Sequence, residues 1–199
     1  MERRAQNIVV GSLLGDGWLE ALSPTTGTSI YRVKYNDKSL GYLSWLREEL
    51  QELQPSALKE KSENNQHYFY TKARQDIGEI RKLFYPNEGV KRVPATIGEL
   101  LTDPISVAVW YQDDGTLDRR ARYHWNVRLA TYCFPYEDCV LLKEILKKNF
   151  GLEVSICRCA MRNKVYYQLY VPTKSMERFM EVVRPFIHEN YAYKILARC

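Results

Sequence analysis

The sequence lacks any long apolar run, and nothing in it approaches the ~20 consecutive apolar residues that a membrane-spanning helix requires. Its five cysteines are an odd number, and none forms a Cys-x-x-Cys pair or has histidines at the spacing of a zinc site. A signal peptide is not expected either, since Asp16 interrupts the first apolar run and no small-residue cleavage site follows. We therefore expect a reduced intracellular protein without a membrane span.

Two apolar runs that each end in Asp-Gly stand out. The first spans residues 8–17, and the second follows 98 residues later at residues 106–115. Periodicity alone does not decide whether such a run is a buried helix or a buried strand. The glycine favours a helix, because helices often end in a left-handed residue that is usually glycine. We expect Asp16 and Asp114 at the C-terminal ends of two buried helices.

A carboxylate is poorly placed at such an end. The helix dipole puts roughly half a negative charge there, so the carboxylate is disfavoured unless a cation neutralises it. If two such helix ends lie together, their carboxylates could share a divalent cation. The sequence therefore predicts a divalent-metal site.

The remaining patterns predict the same order of elements, α-ββ-α-ββ-α, in both halves of the chain. Alternating residues predict strands, as in residues 30–36, and leucines at helical spacing predict the helix that follows. We expect an α+β fold with a first half at residues 1–86, a connecting segment at 87–103 and a second half at 104–199. The two Asp-Gly helices are too apolar to face water, so we expect them to pack together at a pseudo-two-fold axis.

This layout resembles the LAGLIDADG homing endonucleases in their single-chain, two-motif form. The runs ending at Gly17 and Gly115 match the nine-residue motif, whose eighth position is the acidic metal ligand. The second copy is similar to the omega-type branch of the family. Lys91-Arg92-Val93-Pro94 and Tyr193-Lys194-Ile195 resemble the two lysine motifs of that branch. Asp113 departs from the pattern, because the family has a small residue there.

The resemblance implies a site-specific endonuclease that hydrolyses both strands of double-stranded DNA at a long asymmetric target. It implies that Asp16, Asp114, Lys91 and Lys194 are catalytic. Mg²⁺ prefers a few carboxylate and carbonyl oxygens together with water and phosphate, so two aspartates with nearby carbonyls suffice. We expect Mg²⁺, or another divalent cation such as Mn²⁺, at Asp16, Asp114, Gly15 and Asp113, with Asp114 rather than Asp113 as the carboxylate ligand.

The hairpins have basic faces, and the formal net charge of +5 favours a polyanionic partner. A β-ribbon fits the major groove, where Arg, Lys, Asn and Gln read base edges. We expect the antiparallel sheets to form a DNA-binding saddle. The predicted DNA-binding residues are Arg32, Lys34, Asn36, Lys59, Lys61, Gln66, Tyr68, Tyr70, Lys72, Arg119, Arg120, Arg122, His124, Asn126, Arg128, Arg158, Arg162, Lys164, Tyr166 and Gln168.

Two other functions stay open at this point. The same scaffold also fits a maturase that binds intron RNA and assists splicing, and a regulator that binds DNA without cutting it. Two anions at helix ends near phosphate favour the endonuclease over the regulator, but they do not separate it from the maturase. Because one chain carries both motifs, we expect a monomer.

Overall fold

The computed structural model describes residues 1–87, 89–121, 124–161 and 164–195. Its helices are α1 (Arg3–Leu14), α2 (Leu40–Glu49), α3 (Gln75–Phe84), α4 (Ile97–Leu100), α5 (Pro104–Asp114), α6 (Tyr136–Phe150) and α7 (Met176–Val183). Its strands are β1 (Trp18–Leu19), β2 (Tyr31–Asn36), β3 (Lys59–Lys61), β4 (Gln66–Tyr70), β5 (Gly115–Ala121), β6 (His124–Ala130), β7 (Ser155–Met161) and β8 (Lys164–Val171).

The predicted order α-ββ-α-ββ-α is confirmed in both halves, with the short helix α4 between them. Each half contains one four-stranded antiparallel sheet, ordered β1-β2-β4-β3 in the first and β5-β6-β8-β7 in the second. Within each sheet, alternate residues such as Val33 and Phe69, or Leu129 and Leu169, pair across neighbouring strands and are fully buried. One buried apolar cluster includes residues of both halves, so the α+β class is confirmed and the halves share a core.

Helices α1 and α5 pack directly against each other at the centre of this core. A methyl group at Gly11 would overlap the backbone carbonyl of Ser106, so the absence of a side chain lets the two backbones meet. The hydroxyl of Ser106 donates a 2.8 Å hydrogen bond to the carbonyl of Asn7. Both helices are buried along most of their length, as their apolar sequences predict.

The predicted reason for the helix ends is wrong, although the position of the ends is right. Helix α1 ends at Leu14 and α5 ends at Asp114, but Gly115 has φ −92° and ψ 145°, which any residue can adopt. Gly17 has no positive φ either. Glycine is required at Gly115 because a side chain would overlap the ring and carbonyl of Tyr111. Close packing, and not a left-handed turn, accounts for these glycines.

Helix α6 ends at a glycine in the left-handed backbone conformation. Gly151 has φ 68°, and its amide donates to the carbonyls of the last helical turn.

Strand β4 ends at Tyr70, so Lys72, which is one of the predicted DNA-binding residues, lies beyond the sheet. Among the described residues, no helix is long and apolar enough to cross a membrane.

The contact at Gly11 generates a stability prediction. Gly11→Ala should lower the free energy of unfolding by about 1–3 kcal/mol, because the added methyl meets rigid backbone. Urea denaturation measures the change. Gly98→Ala is the control, since its methyl would meet only the flexible end of Ile145. Equal stability of the two variants would contradict close packing of α1 on α5.

Candidate active site

The ends of α1 and α5 bring two carboxylates to one place. Asp16 lies two residues beyond the end of α1 and is solvent-exposed, while Asp114 is the last residue of α5 and is partly exposed. Within the described ranges, no backbone or side-chain donor is hydrogen-bonded to either carboxylate. Burial, with the charge of Asp16 as the next cause, raises the pKa of Asp114 to about 6. Burial also raises the pKa of Asp16, and Lys91 and Lys194 oppose that shift.

Each helix end is held by a lysine, which is partly buried at Lys91 and buried at Lys194. The Nζ of Lys91 donates to the carbonyls of Leu13, Gly15 and Gly17 at 2.9, 3.1 and 3.0 Å. Because these three bonds use all three ammonium hydrogens, Lys91 acts on the backbone around Asp16 and has no hydrogen left for another acceptor. Burial lowers the pKa of Lys91.

Lys194 binds the backbone at the end of α5 in a similar way. Its Nζ donates to the carbonyls of Tyr111 at 3.1 Å and Gln112 at 2.7 Å, and the hydroxyl of Tyr111 donates back to the carbonyl of Lys194 at 2.8 Å. Burial lowers the pKa of Lys194 to about 8. Cations at helix C-termini complement the dipole, so the two lysines stabilise the ends that carry the carboxylates.

Asp113 occupies the position between the two ends. Its Oδ1 accepts hydrogen bonds from Tyr35 at 2.6 Å and Tyr42 at 3.1 Å, and its Oδ2 accepts a long bond of 3.3 Å from the amide of Asp16. The residue is partly accessible, but its carboxylate is enclosed, and burial followed by the charge of Asp16 raises its pKa well above the usual range. A side chain at Gly15 would overlap Asp113, so the glycine makes room for the acid.

These contacts distinguish the four predicted metal-binding residues. Asp16 and Asp114 offer carboxylates that accept no hydrogen bond from the described part of the chain, which suits a divalent cation. The carboxylate of Asp113 is already bonded to protein, so only its backbone carbonyl suits the predicted role, and the carbonyl of Gly15 also accepts from Lys91. The described residues contain no group of three His, Cys, Asp or Glu side chains that could hold a metal on their own. The site therefore fits a cation that is also bound by phosphate and water.

The outer face of the first sheet assembles the basic residues predicted for the first half. Arg32, Lys34 and Asn36 alternate with buried residues along β2, and they lie directly opposite Tyr70, Tyr68 and Gln66 of β4. Lys59 and Lys61 of β3 continue the same rows. Apart from Lys72, the residues predicted for this half share one face.

The second sheet agrees less well with the prediction. Asn126 and Gln168 lie on the outer face by register but are only 3% and 7% exposed, so they present little surface in this conformation and their contact with DNA bases stays a prediction. Arg158 pairs with Tyr167 and lies on the opposite face from Tyr166, because neighbouring strand residues point to opposite sides. Arg128 lies on the outer face at 3.4 Å from Asp118, which reduces the positive charge available there.

The other predicted residues of this half divide into three groups. Arg119, Lys164 and Tyr166 lie on strands and are exposed or partly exposed. Arg122 and Arg162 lie outside the described residues. Arg120 and His124 belong to β5 and β6, but their side chains are not part of the description.

Sequence reasoning missed the tyrosine pair and one acid. The pairing of Tyr35 and Tyr42 with Asp113 had no sequence signal, because the partners lie 78 and 71 residues away. Asp138 lies in the first turn of α6, where an acid complements the helix dipole. It also accepts two hydrogen bonds from Arg92.

The fold and site together define a duplicated α+β protein with one acidic residue at each of two adjoining helix ends. The model of the LAGLIDADG DNA endonuclease family matches residues 6–179. The chain belongs to this family.

Curated relatives share about a quarter of the aligned residues. Protein RecA of Mycolicibacterium flavescens is 25% identical over 199 residues, which cover 96% of this chain and 46% of that protein. The chain thus spans about half the length of this relative. DNA endonuclease I-ChuI of Chlamydomonas applanata is 24% identical over 211 residues, covering 98% of this chain and 95% of that protein.

Solved structures match the fold. One match is the homing endonuclease I-WcaI bound to its DNA recognition sequence, with a TM-score of 0.81 at 20% identity. The superposed region covers all of this chain and 88% of the I-WcaI chain. Another match is I-DmoI in complex with DNA and Mn, with a TM-score of 0.57 at 15% identity. The superposed region covers 91% of this chain and 96% of the I-DmoI chain. The predicted family and fold are confirmed.

The enclosed carboxylate generates a second prediction. Tyr35→Phe should lower the free energy of unfolding by about 1–3 kcal/mol, because it removes a donor from an enclosed acid. Tyr68→Phe on the outer face of the same sheet is the control. In an Asp113→Ala background the effect of Tyr35→Phe should shrink towards zero, as measured by urea denaturation. An unchanged effect in that background would show that the hydroxyl does not act on Asp113.

Proposed function

We propose that this protein is a site-specific, divalent-metal-dependent endonuclease that hydrolyses both strands of a DNA duplex. The observation that carries the proposal is the pair of carboxylates, Asp16 and Asp114, at adjoining helix ends without any hydrogen-bond donor in the described protein. A lysine holds the backbone around each of them, Lys91 at the end of α1 and Lys194 at the end of α5. Two related sites, one per half, suit the cutting of two strands.

The chemistry needs an activated water, stabilisation of charge on phosphorus and help for the leaving 3′ oxygen. Divalent ions held by carboxylates supply all three when bound. The carboxylates of Asp16 and Asp114 would hold the ions, and the carbonyl of Asp113 is available beside them. Lys91 and Lys194 keep the helix ends in place and add positive charge close to the phosphate. The raised pKa values of both aspartates are those of carboxylates placed to receive a cation.

Recognition is proposed for the outer faces of the two sheets, which would form the DNA-binding saddle. The first sheet offers rows of Lys, Arg, Asn, Gln and Tyr side chains, and these are the types that contact phosphates and base edges. The second sheet differs, with Arg128 paired to Asp118 and Gln168 enclosed. Because the two faces differ, the halves would read different half-sites, and the target would be long and asymmetric. One chain carries both halves, which supports a monomer.

A protein that only binds DNA has no use for these two carboxylates. Each carries negative charge at a helix end that is already negative, beside a polyanionic ligand. The retention of both acids therefore favours cleavage over binding alone.

Removal of either carboxylate tests the proposal. Asp16→Asn and Asp114→Asn should each abolish Mg²⁺-dependent double-strand cleavage while duplex binding stays nearly unchanged, because the amide is a far weaker cation ligand. Cleavage of sites selected from a random duplex library with Mg²⁺, and its loss with a chelator, measures the activity. Asp37→Asn is the control, since that carboxylate is 61% exposed and pairs with His67. Undiminished cutting by the Asp16→Asn, Asp114→Asn double variant contradicts the proposal.

The outer face of the first sheet yields a separate prediction about binding. Lys34→Ala and Lys61→Ala should each weaken binding similarly across sequences, if the lysine contacts phosphate, and reduce the slope of log affinity against log salt by about 1. Fluorescence anisotropy at several salt concentrations measures both quantities. Lys82→Ala is the matched control, because this exposed lysine lies on α3 and pairs with Glu79. The same salt slope in all four proteins would remove this face from the DNA interface.

A further inference from the structure

The segment that carries Lys91 is anchored to the opposite half of the molecule. Immediately after Lys91, the guanidinium of Arg92 donates to Asp138 of α6 at 2.9 Å from Nε and 2.7 Å from Nη2. The amide of Val93 donates to the same carboxylate at 2.8 Å. The side chain of Asp138 is 6% exposed. One buried carboxylate of the second half thus holds the side chain of Arg92 and the amide of Val93. The amide of Arg92 itself donates to the carbonyl of Phe84 in the first half at 2.7 Å.

We propose that Asp138 is a positioning residue for Lys91, so that the second half sets the geometry of the cleavage site formed by the first half. The inference rests on the proposed endonuclease function. Asp138 does not itself touch the reacting atoms. It acts through Arg92 and Val93 on the backbone that presents Lys91.

The chain on the other side of Lys91 offers little restraint. Val90 is 53% exposed, and its amide makes a long bond of 3.3 Å to the carbonyl of Asn87. The anchor after Lys91 is short, bidentate and charge-assisted, which is the stronger kind of hydrogen bond. Because one peptide unit separates the lysine from this anchor, a shift of Arg92 moves Lys91 directly.

Lys194 is held by the opposite half as well, through different chemistry. Tyr191 lies three residues before it, and its hydroxyl is 2.9 Å from the hydroxyl of Ser39 in the first half. The ring of Tyr191 packs edge-on against Tyr42 at 5.0 Å, and the ammonium of Lys194 lies 4.7 Å from the centre of the Tyr191 ring. Lys91 thus acts on the helix end of the first half, and its segment contacts the second half. Lys194 acts on the helix end of the second half, and its segment contacts the first half.

The molecule offers a matched control for Asp138. Asp76 accepts from Arg74 at 2.9 Å from Nε and 2.6 Å from Nη2, and from the amide of Ile77 at 2.9 Å. These three bonds match those of Asp138, but they lie within the first half and are remote in sequence from either lysine. Asp76 also contacts the terminal ammonium of Met1 at 2.9 Å, and its side chain is 31% exposed. Asp76→Asn therefore reports the general cost of losing such a carboxylate.

The first experiment assigns the effect to one strand. Lys91→Met and Lys194→Met identify which strand each lysine serves, in single-turnover cleavage of a duplex labelled separately on each strand. Asp138→Asn should slow the Lys91-dependent strand by about tenfold or more, as misplacement of a positioned group does. The other strand and the dissociation constant should stay unchanged, and Asp76→Asn should change neither strand. Equal slowing of both strands by Asp138→Asn overturns the proposal.

The second experiment does not depend on cleavage. Acetylation of the free protein by acetic anhydride, followed by peptide mass spectrometry, measures the accessibility of each lysine. Lys91 should react faster in Asp138→Asn than in the wild type or in Asp76→Asn, while Lys194 should react at its wild-type rate. Unchanged reactivity of Lys91 overturns the positioning role even if the protein cleaves DNA. If the wild type never cleaves DNA but Lys91 is acetylated faster in Asp138→Asn, the proposed function is contradicted. The positioning of Lys91 by Asp138 is then still supported.

A second variant covers loss of folding. If circular dichroism shows that Asp138→Asn is unfolded, Arg92→Lys replaces it in both experiments, because it keeps the positive charge but loses the bidentate geometry. The same strand selectivity and the same rise in Lys91 reactivity are expected. Their absence in a folded Arg92→Lys protein overturns the proposal.

Discussion

Two negative helix ends that meet in one place are the constraint on which the site depends. Gly11 and Ser106 let α1 and α5 approach so closely that their C-termini adjoin, and each end then adds a carboxylate. The protein compensates with cations of its own. Lys91 and Lys194 bond to backbone carbonyls of the two ends, so the negative potential of the backbone is partly neutralised. Among the residues that the structure describes, no donor is bonded to the carboxylates of Asp16 and Asp114.

The lysines and the carboxylates are compensated differently for the water that they lose. A lysine that bonds to three carbonyls gains fixed acceptors, even though desolvation lowers its pKa. The carboxylate of Asp16 gains no donor from the described residues, and partial desolvation raises its pKa instead. A divalent cation bound with phosphate and water supplies that compensation.

The sequence predicts the order of elements and the pair of acids because these features depend on local pattern and on one repeated motif. Contacts that join distant segments by geometry alone are not predictable in this way. Asp113 departs from the motif, yet nothing local indicates that it meets Tyr35 and Tyr42. The burial of Gln168 depends likewise on Tyr132, whose hydroxyl donates to its side-chain oxygen at 3.1 Å. The helix ends were predicted at the right places, but the reason given, a left-handed glycine, is wrong. Gly115 is needed because a side chain there would overlap Tyr111.

The contact between Gly15 and Asp113 shows what a duplicated chain can do that a symmetric dimer cannot. The two residues occupy equivalent motif positions, 98 residues apart, and they face each other across the pseudo-two-fold axis. In a true dimer the same residue would face itself there. Two aspartates would clash and repel, while two glycines would leave Tyr35 and Tyr42 without their acceptor. A single chain can place a glycine opposite an aspartate, so the enclosed acid and its two tyrosines exist only because the halves have diverged.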